Sequence, residues 1–326
     1  MFVTASAPAK VILFGEHFVV FGEPAIVMAI NQRARVKVTL RKDKRVRIAS
    51  PDIGLAGTFD KEKFIVEQGS SKKARKELEP VKLAADKTSA KAESKQDVSV
   101  RISSDIPVAA GLGSSAAVVA ATAKAISRLL SVPLSLEEIF NITCEAECIV
   151  HGTSSGIDPA VATYGGVLLF KRGEGFNRLT VKEDIPLIVG NTRIIRCTGD
   201  LVAKVRQDKE NFPTIIELII KAGGQIATQA VDALEKGNLK RLGELMNLNH
   251  ASLYAVGVSS EPIEELITVA RKAGALGAKL TGAGGGGCII ALSERANLRR
   301  VKKALDREGG NSFIAEKTDE GVRIER

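Results

Sequence analysis

Apolar and polar residues alternate along this chain in two distinct periods. Before residue 60 the period is two. Arg35-Val36-Lys37-Val38-Thr39-Leu40 and Arg45-Val46-Arg47-Ile48 each send every second side chain to one apolar face, the pattern of half-buried strands. Residues 2–40 read as strands broken at two turns, Gly15-Glu16-His17 and Gly22-Glu23-Pro24. The two alternating runs flank a short polar turn, so the simplest pairing is an antiparallel hairpin with one wet face and Lys/Arg guarding its edge. The stretch 67–97 is rich in Lys, Glu, Ala and Ser with weak periodicity; it predicts a surface helix over 80–92 between loops. Val98–Ile102 alternates again.

From residue 111 the helical period takes over. Gly111-Leu112-Gly113-Ser114-Ser115 opens an Ala/Val run ending at Leu130, which reads as a glycine turn and a helix N-terminus. Ser135 and Glu138 have capping-box spacing ahead of a helix over 135–150. Residues 152–158 read as a loop and Val161–Phe170 as a strand pair. The character shifts near 183–186, and Leu187-Ile188-Val189 begins a new strand, which divides the chain into 1–185 and 186–326. Helical patterns follow at 200–210, 213–236, 239–248 and 261–273. Gly282–Gly287 precedes a strand, Cys288–Leu292, and a helix over 294–308 with two short strands ends the chain. The whole reads as a two-domain α/β (α+β) protein without an internal repeat, a size that fits about 150 residues per domain.

Composition narrows the function classes. With 44% hydrophobic and 26% charged residues the chain is neither disordered nor a membrane protein, and no apolar run nears the ~18 residues of a membrane span. No apolar core of a signal peptide precedes Gly15. The net charge of +9 invites a nucleic-acid reading, but eight basic residues and one acid lie between Arg33 and Ile48, so most of the excess belongs to one pair of strands. Trp is absent and there are only two Tyr, which removes the stacking platforms of a single-strand binder. No nucleic-acid partner and no membrane partner are expected. Four cysteines without a CxxC pair (Cys144, Cys148, Cys197, Cys288) fit reduced thiols in a cytoplasmic protein.

Four segments carry chemistry. In Pro107–Ala117 a glycine turn meets a helix N-terminus, whose unpaired N–H groups and partial positive charge cradle an anion. No Gly-Lys-[Ser/Thr] follows, so this is not a Walker A loop; a cation must come from elsewhere, and Ser114 or Ser115 offers a hydroxyl to Mg²⁺. In Lys279–Cys288 five glycines stand in six positions, a loop that bends sharply or lies against a ligand. In Ala7–His17, Lys10 interrupts an apolar strand, and Glu16 and His17 occupy the following turn. In Glu147–Pro159 a Gly/Ser loop leads to Asp158, which either makes an Asx-turn before Pro159 or serves as a base in proton or phosphoryl transfer.

Together these segments resemble the GHMP kinases, and within that superfamily the mevalonate kinase family most closely. The resemblance is carried by Lys10-Val-Ile-Leu-Phe-Gly-Glu-His-Phe-Val-Val-Phe-Gly22, by Pro107-x-x-x-Gly-Leu-Gly-Ser-Ser-Ala116, by Val150-His-Gly-Thr-Ser-Ser-Gly-Ile-Asp158 and by Leu280-Thr-Gly-Ala-Gly-Gly-Gly-Gly-Cys288. It implies a GHMP kinase-like fold, an N-terminal phosphate-loop domain followed by a ferredoxin-like domain with the site between them. It implies ATP and Mg²⁺ as cofactors and mevalonate as substrate. Asp158 and Lys10 take the catalytic positions, Ser115 and Glu147 the metal positions, and Glu16, His17, Arg196 and Thr198 the substrate positions. Pro107, Val108, Ala109, Ala110, Gly111, Leu112, Gly113, Ser114, Ser115, Ala116 and Ala117 would wrap the ATP phosphates. Gly282, Ala283, Gly284, Gly285 and Gly286 would line the site. A homodimer follows the family habit. The stretch 67–97 matches none of the motifs. Two rivals remain: the same chemistry on homoserine, a sugar or phosphomevalonate, and a basic RNA-binding protein.

Overall fold

Among the described residues the chain forms thirteen strands and nine helices. The strands are β1 (Phe2–Phe14), β2 (Ala25–Leu40), β3 (Val46–Ser50), β4 (Leu55–Asp60), β5 (Lys63–Gln68), β6 (Val98–Ser104), β7 (Val167–Lys171), β8 (Gly175–Leu179), β9 (Leu187–Asn191), β10 (Gly277–Thr281), β11 (Cys288–Leu292), β12 (Asn311–Ala315) and β13 (Arg323–Ile324). The helices are α1 (Ser71–Ser89), α2 (Ser114–Leu129), α3 (Leu136–His151), α4 (Ile157–Tyr164), α5 (Thr198–Asn211), α6 (Pro213–Glu235), α7 (Leu239–Ala255), α8 (Glu261–Lys272) and α9 (Leu298–Arg307). This is a computed structural model; it describes residues 1–325 other than 44, 62, 93–96, 109, 153 and 195–197, and not the side chains of 150, 151 and 198.

The first sheet has the order β13-β1-β2-β6-β3-β4-β5, with β7 and β8 added along the first part of β2. From Ala5 to Phe14 every residue of β1 is buried, so the strand reads as an apolar run rather than an alternation. Its one charged interruption is Lys10. Helix α2 lies across β1 and β2, flanked by α1 and α3. Its inner face is built from small residues such as Ala117, Ala120, Ala121 and Ala125, all buried, which brings the helix close to the sheet.

The second sheet has the order β10-β11-β9-β12, all pairs antiparallel. The chain path is β9, a run of helices, β10, β11, α9 and β12, which is the ferredoxin-like arrangement. Helix α8 covers this sheet with Ile263, Leu266, Ile267 and Ala270, one face of a helical repeat. No helix among the described residues is long and apolar enough to cross a membrane.

Three local expectations fail, each for a tertiary reason. The proposed hairpin does not form: β6 lies between β2 and β3, antiparallel to the first (Val36 opposite Ile102) and parallel to the second (Ile48 opposite Val100). This gives the apolar side of β6 two neighbours instead of an edge. The basic residues there face carboxylates from other strands and loops: Arg35 meets Asp105 at 2.5 Å, Arg45 meets Asp60 at 3.0 Å and Arg47 meets Glu67 at 2.6 Å. The helix in 67–97 begins nine residues earlier than its pattern suggested, at Ser71, because Ala74, Leu78, Val81, Ala85 and Thr88 recur at helical spacing and are buried. The segment from Val161 is not a strand but the second half of α4, and only β7 is extended. Gly156 at φ +77° starts that helix, and Pro159 in its first turn has no N–H to leave unpaired.

The chain end returns to the first sheet and is held by a buried arginine. Arg33, 4% exposed, donates from Nε to Ser6 Oγ (2.7 Å), from Nη1 to the Glu320 carbonyl (3.2 Å) and from Nη2 to the Gly321 carbonyl (2.5 Å). Burial pushes the guanidinium down to about 10, so it stays charged at neutral pH. Thr318 N–H donates to Ala29 O and Val322 N–H to Thr163 O, which ties the tail to β2 and to the end of α4. Arg33→Met removes these bonds and leaves buried carbonyls unpaired, a cost of about 2–4 kcal/mol. The melting midpoint is expected to fall and trypsin to cut at Arg323 first; an unchanged midpoint and cleavage pattern would show that the tail holds without the guanidinium.

Candidate active site

Lys10 and Asp158 meet where β1, α2 and α4 converge. Lys10 Nζ lies 3.2 Å from Asp158 Oδ1, with side chains 9% and 26% exposed. The pair is assembled from far ends of the first domain. Lys10 is a mid-strand residue, and Asp158 is the second residue of α4, placed there by the left-handed turn at Gly156. Asp158 opens toward a cavity of about 1140 Å³.

The glycine turn before α2 forms one wall. Gly111 and Gly113 sit at φ +74° and +76°, conformations that disfavour any other residue. A Cβ on Gly113 would also stand 2.9 Å from Lys10 Cγ and 3.5 Å from Asp158 Oδ2. The turn is tied to the strand by Lys10 N–H donating to the Leu112 carbonyl (2.9 Å). Helix α2 starts at Ser114 with no side-chain cap, so its first N–H groups are left for a ligand. Pro107, Val108, Ala110, Gly111, Leu112, Gly113, Ser114 and Ser115 border the cavity. Ala117 is fully buried in the core instead, and Ala109 lies outside the described residues.

Behind this wall is a second, enclosed space of about 30 Å³, bordered by Ser115, Ala116, Thr143, Glu147 and Asp158. Two hydroxyls and two carboxylates around so small a space suit a hard divalent cation with oxygen ligands. The electrostatics agree. Burial, then the neighbouring Asp158 carboxylate, pushes the Glu147 carboxyl up to about 7, and the Ser154 hydroxyl and the Lys10 ammonium offset only part of that rise. Ser154 Oγ donates to Glu147 Oε2 and accepts from Gly156 N–H (3.1 Å), so the loop before α4 holds Glu147 in place.

On the opposite wall, His17 is 2% exposed and its Nε2 lies 2.7 Å from the Ala283 carbonyl. A carbonyl only accepts, so Nε2 carries the proton. Glu16 borders the cavity, yet its carboxylate is directed inward to Lys279 and Asn249. In the glycine-rich loop, Gly282 and Ala283 face the cavity. Gly285 N–H donates to the Val258 carbonyl and Gly287 N–H to that of Ile194, so the later glycines are packed against neighbouring segments. A Cβ on Gly286 would stand 2.9 Å from the Ile194 carbonyl oxygen. Arg196 lies outside the described residues; Thr198 begins α5.

Several residues bordering the cavity were not singled out from sequence. Glu77, Pro80 and Val81 come from α1, Asp52 and Ile53 from the turn after β3, and Arg172, Val202 and Arg206 from β7's end and α5. Exposed-looking residues in a weakly periodic segment carry no local signal of a ligand. Lys279 had one: like Lys10, it interrupts an apolar strand.

The comparisons with known proteins cover both sheets. The family description GHMP kinases N terminal domain matches residues 79–166, and GHMP kinases C terminal matches residues 230–311. A mevalonate kinase of Pyrococcus abyssi is 44% identical over 99% of this chain and 98% of its own. The crystal structure of L. major mevalonate kinase in complex with R-mevalonate superposes with a TM-score of 0.85 at 29% identity, covering 97% of this chain and 96% of that one. The Methanococcus jannaschii mevalonate kinase structure gives 0.82 at 27% identity, with 98% of each chain covered.

The raised Glu147 carboxyl has a sign that can be checked. Its folded value, about 7, lies above the ordinary 4.5, so the folded state holds the proton longer than the unfolded state. Stability therefore falls as pH rises from about 4.5 to 7. In chelator-treated protein Glu147→Gln is expected to match the parent in urea unfolding near pH 4.5 and to exceed it at pH 8 by on the order of 1–3 kcal/mol. A gap that is the same at both pH values would mean that Glu147 is ionised throughout.

Proposed function

The chain belongs to the GHMP kinases and, within them, to the mevalonate kinases, and from that membership and the cavity's geometry we propose how it transfers the γ-phosphoryl group of ATP to the C5 hydroxyl of mevalonate. The observation that carries the assignment of residues is the Lys10–Asp158 pair at 3.2 Å, facing a glycine turn at a helix N-terminus.

Asp158 accepts the proton of the C5 hydroxyl or holds that hydroxyl in line, and the oxygen attacks the γ-phosphorus. As the new O–P bond forms, the bond to the bridging oxygen breaks and ADP leaves with the electron pair. The Lys10 ammonium offsets charge on the transferring group. The N–H groups at the start of α2, with the turn at Gly111–Gly113, hold the phosphate chain. Ser115 and Glu147 would hold Mg²⁺, which neutralises phosphate charge when bound. His17 hydrogen-bonds mevalonate from the wall it shares with Ala283. By resemblance alone we assign Arg196 to the mevalonate carboxylate and Thr198 to the substrate. Val19, Val20 and Val202 supply an apolar wall suited to the methyl group.

We assign the purine to the part of the cavity that Asp52, Ile53, Glu77, Pro80 and Val81 border. This gives the segment 67–97 a role that no motif supplied. The same reading divides the chain at 185/186 and includes a homodimer in the cytoplasm. Cys144 and Cys148, thiols without a disulfide, fit that compartment.

An ADP-coupled assay with Mg-ATP and a panel of mevalonate, homoserine, galactose and phosphomevalonate is expected to give turnover with mevalonate alone; a preferred rival acceptor would sink the substrate assignment. Asp158→Asn is expected to lower kcat by about 10³-fold while ATP affinity stays within a few-fold. Lys10→Met is expected to lower kcat by on the order of 10²–10³-fold, and a retained kcat would leave the phosphoryl charge to the metal alone.

A further inference from the structure

Among the described residues the most deeply buried charges lie just behind the active site and are not used by the chemistry above. Lys279 of β10 and Glu16 of the turn after β1 form an ion pair whose side chains are 0% and 1% exposed. Lys279 Nζ also donates to the Leu280 carbonyl (2.7 Å). Asn249, fully buried in α7, donates from Nδ2 to Glu16 Oε2 (3.3 Å) and accepts from Gly15 N–H (3.4 Å). Its neighbour His250 accepts from Leu280 N–H (3.5 Å) and bonds Glu264 through Nε2 (2.9 Å). Burial pushes the Glu16 carboxyl up and the Lys279 ammonium down, and each charge holds the other back.

The pair is one of three cross-links between the two domains. Ile12 N–H donates to Thr281 Oγ1 (2.9 Å), whose hydroxyl donates back to Ile12 O (3.0 Å). Two residues before Thr281, Lys279 takes Glu16, and two residues after it, Ala283 takes His17. Every link joins the β1 segment to the β10 segment. The charged link is the odd one. A dehydrated ion pair contributes little stability that apolar side chains of the same volume would not supply, because taking both charges out of water offsets their attraction. What an ion pair adds is direction: a carboxylate and an ammonium accept one register, whereas apolar surfaces slide.

We infer that Glu16 and Lys279 are positioning residues that lock the turn carrying His17 against the strand leading into Gly282 and Ala283, and thereby set the distance between the substrate-holding histidine and the phosphate side of the cavity. The inference rests on reading that cavity as a phosphoryl-transfer site. Neither residue touches the reacting atoms. Removing the pair loosens alignment while leaving the nucleotide's own contacts in place.

The test compares the full-length parent, Lys279→Met, and the double variant Glu16→Gln/Lys279→Met. Melting midpoint, kcat and both KM values are measured on the same preparations. Lys279→Met alone leaves a buried carboxylate unpaired and is expected to melt well below the parent. The double variant is expected to recover a midpoint near the parent's, yet to keep a kcat lowered by about 30-fold or more, with KM for ATP within about threefold. Three outcomes overturn the inference: recovery of kcat together with the midpoint, a loss confined to KM for mevalonate (which would make Glu16, at the cavity wall, a substrate contact), and failure of the double variant to fold (which would make the pair a stability element). Parent turnover with mevalonate tests the underlying reading separately. Should the parent give none, the His17 ring resonances decide, since the chain has only three histidines. A shifted His17 signal in the folded double variant supports the positioning role, and an unshifted one overturns it.

Discussion

The junction between Ile12 and Thr281 is the constraint on which the rest of this site depends. Two reciprocal hydrogen bonds, 2.9 and 3.0 Å, join the backbone of β1 in one sheet to a side chain at the end of a strand in the other. Lys10 lies two residues before Ile12, and Glu16 and His17 follow within five. Gly282 comes directly after Thr281. One local contact therefore sets the spacing of Lys10, His17 and the glycine loop. It can do so because β1 is buried on both faces and pairs along its length with β2, so it does not shift as a loop would.

Charge is handled in opposite ways inside and outside. The basic strip at Arg35–Arg47 looked like a field, but Asp105, Asp43, Asp60 and Glu67 face its arginines on the exposed side of the sheet. Exposed pairs of this kind are screened by solvent and contribute little either to stability or to attraction of an anion. The interior pairs are few and aimed. Lys10 faces Asp158 at the mouth of the cavity, and Lys279 faces Glu16 behind it. Glu147 stands next to Asp158, and burial and that carboxylate raise its own carboxyl more than Lys10 lowers it.

Much of the fold was legible because it was written in local chemistry. The capping box at Ser135 and Glu138 forms both of its bonds, 3.1 and 2.7 Å, since the two residues lie on one turn and need nothing else. The glycine turn before α2 was legible for the same reason. The hairpin was misjudged because a period of two tells which face of a strand is apolar but not which strand lies beside it. The start of the helix at Ser71 is hidden in the sequence because its first two turns bury only Ala74 among Lys, Arg and Glu. The second half of α4 was taken for a strand because a short apolar run fits either period.

The sequence by itself determined which residues have the chemistry: the lysine in an apolar strand, the aspartate after a Gly/Ser loop, the hydroxyls and glycines at a helix start, and the family these motifs belong to. Only the tertiary structure decided which of them meet. Lys10 and Asp158 are 148 positions apart and yet form one pair, and Glu16 and Lys279 are further apart still. It also decided direction, turning the Glu16 carboxylate inward to a buried ammonium and leaving only Gly282 and Ala283 of the glycine loop on the cavity. The physical reason is that motifs encode local conformation and reactivity, whereas the distance between distant side chains is set by the packing of two sheets, to which residues all along the chain contribute.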